Sequence, residues 1–225
     1  MKNIKKYILI LVGALLPLLA IAQKEQRESA VDPKAKTLLD KSLKAFDAKK
    51  GAVATFTSTT VNKRNNQTTT TDGTLVLKED KFKFSVGDEV VTLFDGKTLS
   101  VLMLKEKEVT ISEPDKEELS QVNPLLLIKS YQTEYKMRYI GEVQDGKKLC
   151  EKVELYPNDL KSKFSIISIL VEKNTLQPQS ISLKGKQGLI TTFSINKIDR
   201  SQTVSAQEFV FDANKYSSFE VIDLR

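Results

Sequence analysis

Histidine is absent from the 225 residues, and cysteine occurs once, at Cys150. The first absence removes the usual general base and the commonest transition-metal ligand. The second excludes an internal disulfide, so the core must hold the fold, and Cys150 reads as a small buried hydrophobe. A basic run is also lacking. Lysines alternate with acids, as in Lys78-Glu79-Asp80-Lys81 and Lys105-Glu106-Lys107-Glu108, whereas neutralising a phosphate backbone needs a stripe. No nucleic-acid partner is expected. No G-x-S-x-G turn offers a hydrolase nucleophile. Gly141 to Lys147 has the G-x-x-x-x-G-K spacing, but Lys148 stands where a hydroxyl should meet magnesium, so a plain hairpin turn is expected there. The acidic pair Glu117-Glu118 sits among lysines and reads as solvated charge. The sequence therefore predicts neither enzyme, nor cofactor, nor metal site.

The first residues carry the compartment signal. Lys2, Lys5 and Lys6 precede an uncharged apolar run from Tyr7 to Leu19, followed by Ala20-Ile21-Ala22. That order is a bacterial signal peptide, with cleavage expected after Ala22 and a periplasmic mature chain. No Cys follows the run to take an N-terminal lipid. No second apolar run approaches the roughly 20 residues of a membrane helix. The removed segment carries three Lys and no acid, which lowers the formal charge from +6 to +3. Residues 23–225 suit a single domain.

Asp32-Pro33 opens a helix, with apolar positions at Ala35, Leu39, Leu43 and Phe46, ending near Gly51. Its narrow stripe and Lys-rich opposite face suggest a helix lying on another surface. From Gly51 the texture becomes short runs rich in β-branched and aromatic residues: 52–61, 69–78, 81–86, 90–94, 98–104 and 108–112. Connections this short force antiparallel neighbours. Asp95-Gly96 predicts a two-residue hairpin turn with positive φ. Asn65 to Thr71 reads as a hairpin tip and strand start. Glu113 to Tyr135 interrupts the sheet with helix starts at Glu113-Pro114-Asp115 and Asn123-Pro124, the second leading into Leu125-Leu126-Leu127-Ile128. Strands resume over 136–141, 148–156, 164–172, 178–184 and 189–198, with a further one at 219–222. Alternation at Ile167, Ile169 and Val171, and at Thr191, Phe193 and Ile195, gives the sheet one wet and one dry face.

The resulting expectation is a mainly β fold with some α. A single antiparallel sheet of about eleven strands curls into an open or half barrel, with an N-terminal helix and a helical insertion at its mouth. The residues that would line the closed face are Phe56, Leu75, Leu77, Phe82, Phe84, Val91, Leu93, Leu99, Val101 and Met103. Small barrels fill their interiors with such side chains and carry no ligand, so plain core packing stands beside the binding reading. Helices at the mouth of the sheet favour a ligand site.

These residues resemble the LolA-type outer-membrane lipoprotein carriers. Phe94-Asp95-Gly96-Lys97-Thr98-Leu99 is similar to their D-G-K-x-L hairpin, and Ala54-Thr55-Phe56-Thr57 to their first strand. Gly73 to Lys78 resembles G-x-L-W-V-K, and Lys81-Phe82-Lys83-Phe84 the aromatic-x-aromatic strand after it. Asn123 to Ile128 resembles the P-F-M-L-I lid helix, and Glu208-Phe209-Val210-Phe211 the late F-x-F segment. The resemblance implies an open β-barrel with a helical lid, here Leu39, Leu43, Phe46, Leu125, Leu126 and Ile128, over an apolar cavity. It implies a monomeric carrier of lipoprotein acyl chains or another lipid, served by an inner-membrane lipoprotein-releasing transporter and an outer-membrane acceptor. Phe82 resembles the exposed aromatic that docks on the transporter. Where the family has a lid-latching Arg, this chain has Glu79, which accepts hydrogen bonds and cannot donate them. Two other readings remain: a lipid-sensing periplasmic domain on the same barrel, and a protein-binding adaptor whose sheet is solidly filled.

Overall fold

The computed structural model describes residues 31–45, 50–115, 119 and 134–225. The expected signal peptide lies outside them, as do Phe46, Leu125, Leu126, Ile128 and most of the expected helical insertion.

Helix α1 spans Pro33–Ala45. Pro33 fits the first turn, where its missing N–H costs nothing, and Asp32 caps it. Asp32 Oδ1 accepts the N–H groups of Lys34 at 2.8 Å and Ala35 at 3.3 Å. Ala35, Leu38, Leu39 and Ser42 form the buried face, one or two positions per turn.

The strands are β1 (Ala52–Asn62), β2 (Gln67–Lys78), β3 (Lys81–Val86), β4 (Val90–Phe94), β5 (Leu99–Met103), β6 (Glu108–Ser112), β7 (Tyr135–Asp145), β8 (Lys148–Pro157), β9 (Phe164–Glu172), β10 (Pro178–Gly185), β11 (Leu189–Asp199) and β12 (Glu220–Asp223). They form one 12-stranded sheet in the order β12-β6-β5-β4-β3-β2-β1-β11-β10-β9-β8-β7. Two antiparallel meanders, β1 to β6 and β7 to β11, are joined where β1 pairs β11. Laid flat, twelve strands would span about 50 Å. Yet one apolar cluster contains both Leu99 of β5 and Met137 of β7, together with Leu38 and Leu39 of α1. The sheet therefore curls around the helix. Its ends do not pair with each other, so the structure is an open half-barrel and not a closed barrel.

Three expectations need correction. The sheet is not wholly antiparallel, because β12 pairs β6 in parallel from Glu220↔Glu108 to Asp223↔Ile111. The parallel partners β6 and β12 are separated by residues 113–219, far more than the crossover that parallel pairing requires, and the last part of that connection crosses the outer face. The β4–β5 turn is centred on Gly96-Lys97: Asp95 N–H donates to Thr98 C=O at 3.2 Å, and only Gly96 has positive φ, 101°. Asp95 stands just before the turn, where its Oδ1 accepts the N–H groups of Lys97 and Thr98. The strand predicted to end at Gly141 runs on to Asp145, with an irregularity in pairing between Tyr139 and Gly141 and the turn at Gly146-Lys147. The Gly141–Lys147 motif is thus strand and hairpin.

A second cluster lies on the outer face of β4–β6, where Leu93, Leu102, Val109 and Ile111 pack under Phe211, Tyr216 and Phe219. Tyr216 stacks on Phe211 at 5.8 Å and meets Phe219 edge-on at 5.0 Å. The C-terminal segment is thereby fastened across the outside of the sheet.

Candidate functional site

Strand pairing sorts side chains onto faces, since residues directly opposite share a face and successive residues do not. One inner row runs Leu99, Phe94, Phe82, Leu77 and Ala52. The next runs Val101, Thr92, Phe84, Leu75, Ala54 and Ile198. A third runs Thr71, Ser58, Phe193, Ile181, Ile169, Val153 and Tyr139. No Lys or Arg occurs in these rows, and their apolar members form one continuous surface from β5 to β7.

Of the ten residues expected to line this face, Phe56, Leu75, Leu77, Phe82, Phe84, Leu99 and Val101 belong to the inner cluster. Met103 shares their side through its alternation with Val101. Val91 and Leu93 do not: they belong to the outer cluster under the C-terminal segment. The β3–β4 pairing Phe82↔Phe94 and Phe84↔Thr92 points Phe94 inward and therefore Leu93 outward. Sequence reading missed Phe94, Phe193 and Ile181. The aromatic alternation of Phe82 and Phe84, carried through the turn with the correct parity, would have found the first.

Aromatic rings form the middle of the face. Phe56 stacks on Phe84 at 5.1 Å with an interplanar angle of 8°, and Phe193 meets them edge-on at 5.6 and 6.0 Å. Gly73 makes this stack possible. It pairs with Phe56 across β1–β2, and a Cβ there would lie 2.2 Å from Phe56 Cζ. Phe82 tilts against Phe94 at 5.5 Å and is wholly buried. It is therefore not the exposed docking aromatic that the resemblance implied. Phe84, Val101 and Phe193, in contrast, are only half-buried, so the face retains open apolar surface.

Helix α1 is fixed to one end of this face. Asp32 N–H donates to Met137 C=O at 3.2 Å, and Asp32 Oδ2 accepts the Tyr139 N–H at 2.9 Å. The Tyr139 N–H, followed by those of Lys34 and Ala35, holds the Asp32 carboxyl below its ordinary range against the opposing effect of burial. The Lys34 ammonium lies 3.6 Å from the Tyr139 ring centre, and the Tyr139 hydroxyl donates to Glu151. Leu39 is fully buried and Leu43 half-buried against the inner cluster. Leu119, whose N–H donates to Asp115 C=O at 3.1 Å, packs on the same cluster.

Elsewhere, Glu79 is exposed at the β2–β3 turn with φ 58°. Cys150 is buried on β8, which pushes its thiol pKa up. Shallow grooves also open among the described residues. One of about 480 Å³ is bordered by Asp72, Thr74, Ser85 and Asn196, and one of about 370 Å³ lies beside Lys34, Leu38, Lys41 and Leu176. Among the described residues no group of three or more His, Cys, Asp or Glu could hold a metal ion, and no helix is long and apolar enough to cross a membrane.

These features define an open half-barrel with an apolar inner face and a helix fastened across it. The family model described as outer membrane lipoprotein carrier protein LolA matches residues 47–212, and the chain belongs to that family. No curated protein matches the chain. Among solved structures, an uncharacterized conserved protein from Thermus thermophilus is similar in fold, with TM-score 0.58 and 13% identity over 84% of this chain and 99% of that one. A LolA superfamily protein from Nitrosomonas europaea gives TM-score 0.45 and 8% identity, covering 79% and 97% of the two chains. The lipoprotein LppX of Mycobacterium tuberculosis gives 0.46 and 14%, covering 77% and 100%.

Proposed function

We propose that this chain is a periplasmic carrier that shields the acyl chains of lipoproteins on the inner face of its half-barrel and moves them from the inner to the outer membrane. The observation that supports this reading is the continuous apolar surface of the inner rows, with Phe84, Val101 and Phe193 left half-buried on it. A filled core would bury such large side chains completely. A single acyl chain of about 14 methylenes gains on the order of 11 kcal/mol on leaving water. Aqueous transit therefore needs a cover, and an apolar inner face supplies one.

In this reading residues 1–22 are removed as a signal peptide and residues 23–225 act as one monomeric domain. Leu39 and Leu43 of α1, with Phe46, Leu125, Leu126 and Ile128, exchange their own apolar contacts for those of the lipid, which lets cargo enter and leave. An inner-membrane releasing transporter and an outer-membrane acceptor are the handover partners. No catalytic step is involved. The test is uptake of a fluorescent fatty acid by residues 23–225. Saturable binding with emission shifted to that of an apolar environment supports the carrier, and emission unchanged from buffer at every protein concentration refutes it.

A further inference from the structure

We infer that one end of the half-barrel is a docking surface for an anionic lipid bilayer, where Leu160 enters the headgroup layer and the cations of three neighbouring connections meet lipid phosphates. The inference goes beyond the carrier reading, because this surface lies outside the apolar inner face and its role does not depend on the cargo.

The antiparallel order brings the β1–β2 hairpin tip, the β8–β9 connection and the β10–β11 turn to the same end of the sheet. Hydrogen bonds tie the three together. Lys63 N–H donates to Gly188 C=O at 2.9 Å, Lys186 N–H donates to Lys163 C=O at 3.1 Å, and Lys186 Nζ donates to Leu160 C=O. Six exposed cations stand on or next to these connections: Lys63, Arg64, Lys161, Lys163, Lys184 and Lys186. Asp159 is the one acid within them, and Glu134, whose C=O accepts the Asn158 N–H, stands beside them. The cations come from segments far apart in the chain, which is why no basic run marks them in the sequence.

Leu160 is 88% exposed and Leu189 42%. The loop that carries Leu160 is held at its backbone, since Asp159 Oδ1 accepts the Lys161 N–H at 2.8 Å and Ser162 N–H donates to Asp159 C=O at 3.2 Å. The side chain nevertheless stands in water. A single exposed leucine is not by itself a signal. Its setting among cations makes it one. Lipid interfaces take up surfaces that combine an apolar projection with Lys and Arg, because burial at the acyl boundary and attraction to anionic headgroups act together. An acidic protein would use the charges and gain less from the leucine. The opposite end carries the β9–β10 turn, where Leu176 borders a groove with Leu38 and Lys41 of α1. Docking through Leu160 leaves that groove uncovered.

The test is co-sedimentation of residues 23–225, which include every described residue, with large unilamellar vesicles of phosphatidylcholine alone or of equal parts phosphatidylcholine and phosphatidylglycerol. Binding should be far stronger to the anionic vesicles. Arg64→Gln, Lys161→Gln and Lys184→Gln combined should weaken it about a hundredfold, since each cation near an anionic leaflet corresponds to about fivefold. The charge-matched set Lys41→Gln, Lys44→Gln and Lys147→Gln should bind nearly as the parent does. Leu160→Trp introduces the chain's only tryptophan, and its emission should move to shorter wavelength on the anionic vesicles. No binding to the anionic vesicles overturns the assignment and leaves the cluster to an acidic protein. Binding that the Arg64, Lys161 and Lys184 set does not weaken, or a Leu160→Trp emission that keeps its aqueous wavelength on bound protein, places the contact on another face and also overturns it. Fatty-acid uptake is a separate readout, so failure here leaves the carrier reading standing.

Discussion

Asp32 and Tyr139, 107 residues apart, are joined by a hydrogen bond of 2.9 Å from the Tyr139 N–H to Asp32 Oδ2, while the other carboxylate oxygen caps α1. One side chain thus starts the helix and fixes it to β7. Asp32→Ala should lower unfolding free energy by about 1–2 kcal/mol at neutral pH. Asp32→Asn should cost less, since it keeps the cap while losing the acceptor that faces Tyr139. Urea midpoints of the three proteins test this.

The same contact sets a pH dependence. The folded pKa of Asp32 lies below its ordinary value of 3.8. A carboxyl shifted downward on folding adds stability above its unfolded pKa, and that stability is lost as pH falls through the folded value. The gap in urea midpoint between the parent and Asp32→Ala should therefore be full at neutral pH and shrink steadily below about pH 4. A gap that widens on acidification would mean that the carboxylate is not stabilised by these N–H groups.

Gly73 is small because Phe56 lies over it. A methyl there would meet Phe56 Cζ at 2.2 Å and Cε2 at 2.5 Å, and would also meet Ser85 C=O at 2.6 Å. Gly73→Ala should cost about 1–3 kcal/mol by displacing the ring from its stack on Phe84. Phe56→Leu should relieve part of that cost, giving a favourable coupling in a double-mutant cycle measured by thermal unfolding. Strict additivity would place the strain at Ser85 instead.

The two faces should separate stability from binding. Leu102 is fully buried in the outer cluster, and Leu102→Ala should cost about 2–5 kcal/mol while leaving fatty-acid affinity unchanged. Phe193→Ala, on the half-open inner face, should weaken uptake. Equal effects of both on uptake would contradict the division of faces.

Cys150 is buried with its thiol pKa raised, first by desolvation and then by Asp145 and Glu172. A thiol-specific disulfide reagent should react slowly with the native protein at neutral pH and rapidly in denaturant.

Much of this architecture could be read from the chain. The strands at 81–86, 90–94 and 108–112 coincide with the predicted runs because short turns and β-branched alternation mark them locally. What failed depended on relations between distant segments. Val91 and Leu93 look like Phe82 and Phe84 in composition, and only the parity carried across the β3–β4 turn assigns them to the outer face. The parallel direction of β12 is set by how residues 200–219 cross the outer sheet, which no local pattern encodes. Asp32 was recognisable as a cap, but its second oxygen serves Tyr139 on a strand 107 positions later. The burial of Phe82, likewise, follows from Phe94 standing opposite it.

The most direct measurement is an intact native mass spectrum of the protein purified after expression of all 225 residues in a Gram-negative host. The account predicts added masses corresponding to acyl lipid or lipoprotein, lost on denaturation. A spectrum showing only the mass of the bare chain, from protein that also fails to take up a fluorescent fatty acid, would contradict it and favour a solidly filled, protein-binding adaptor.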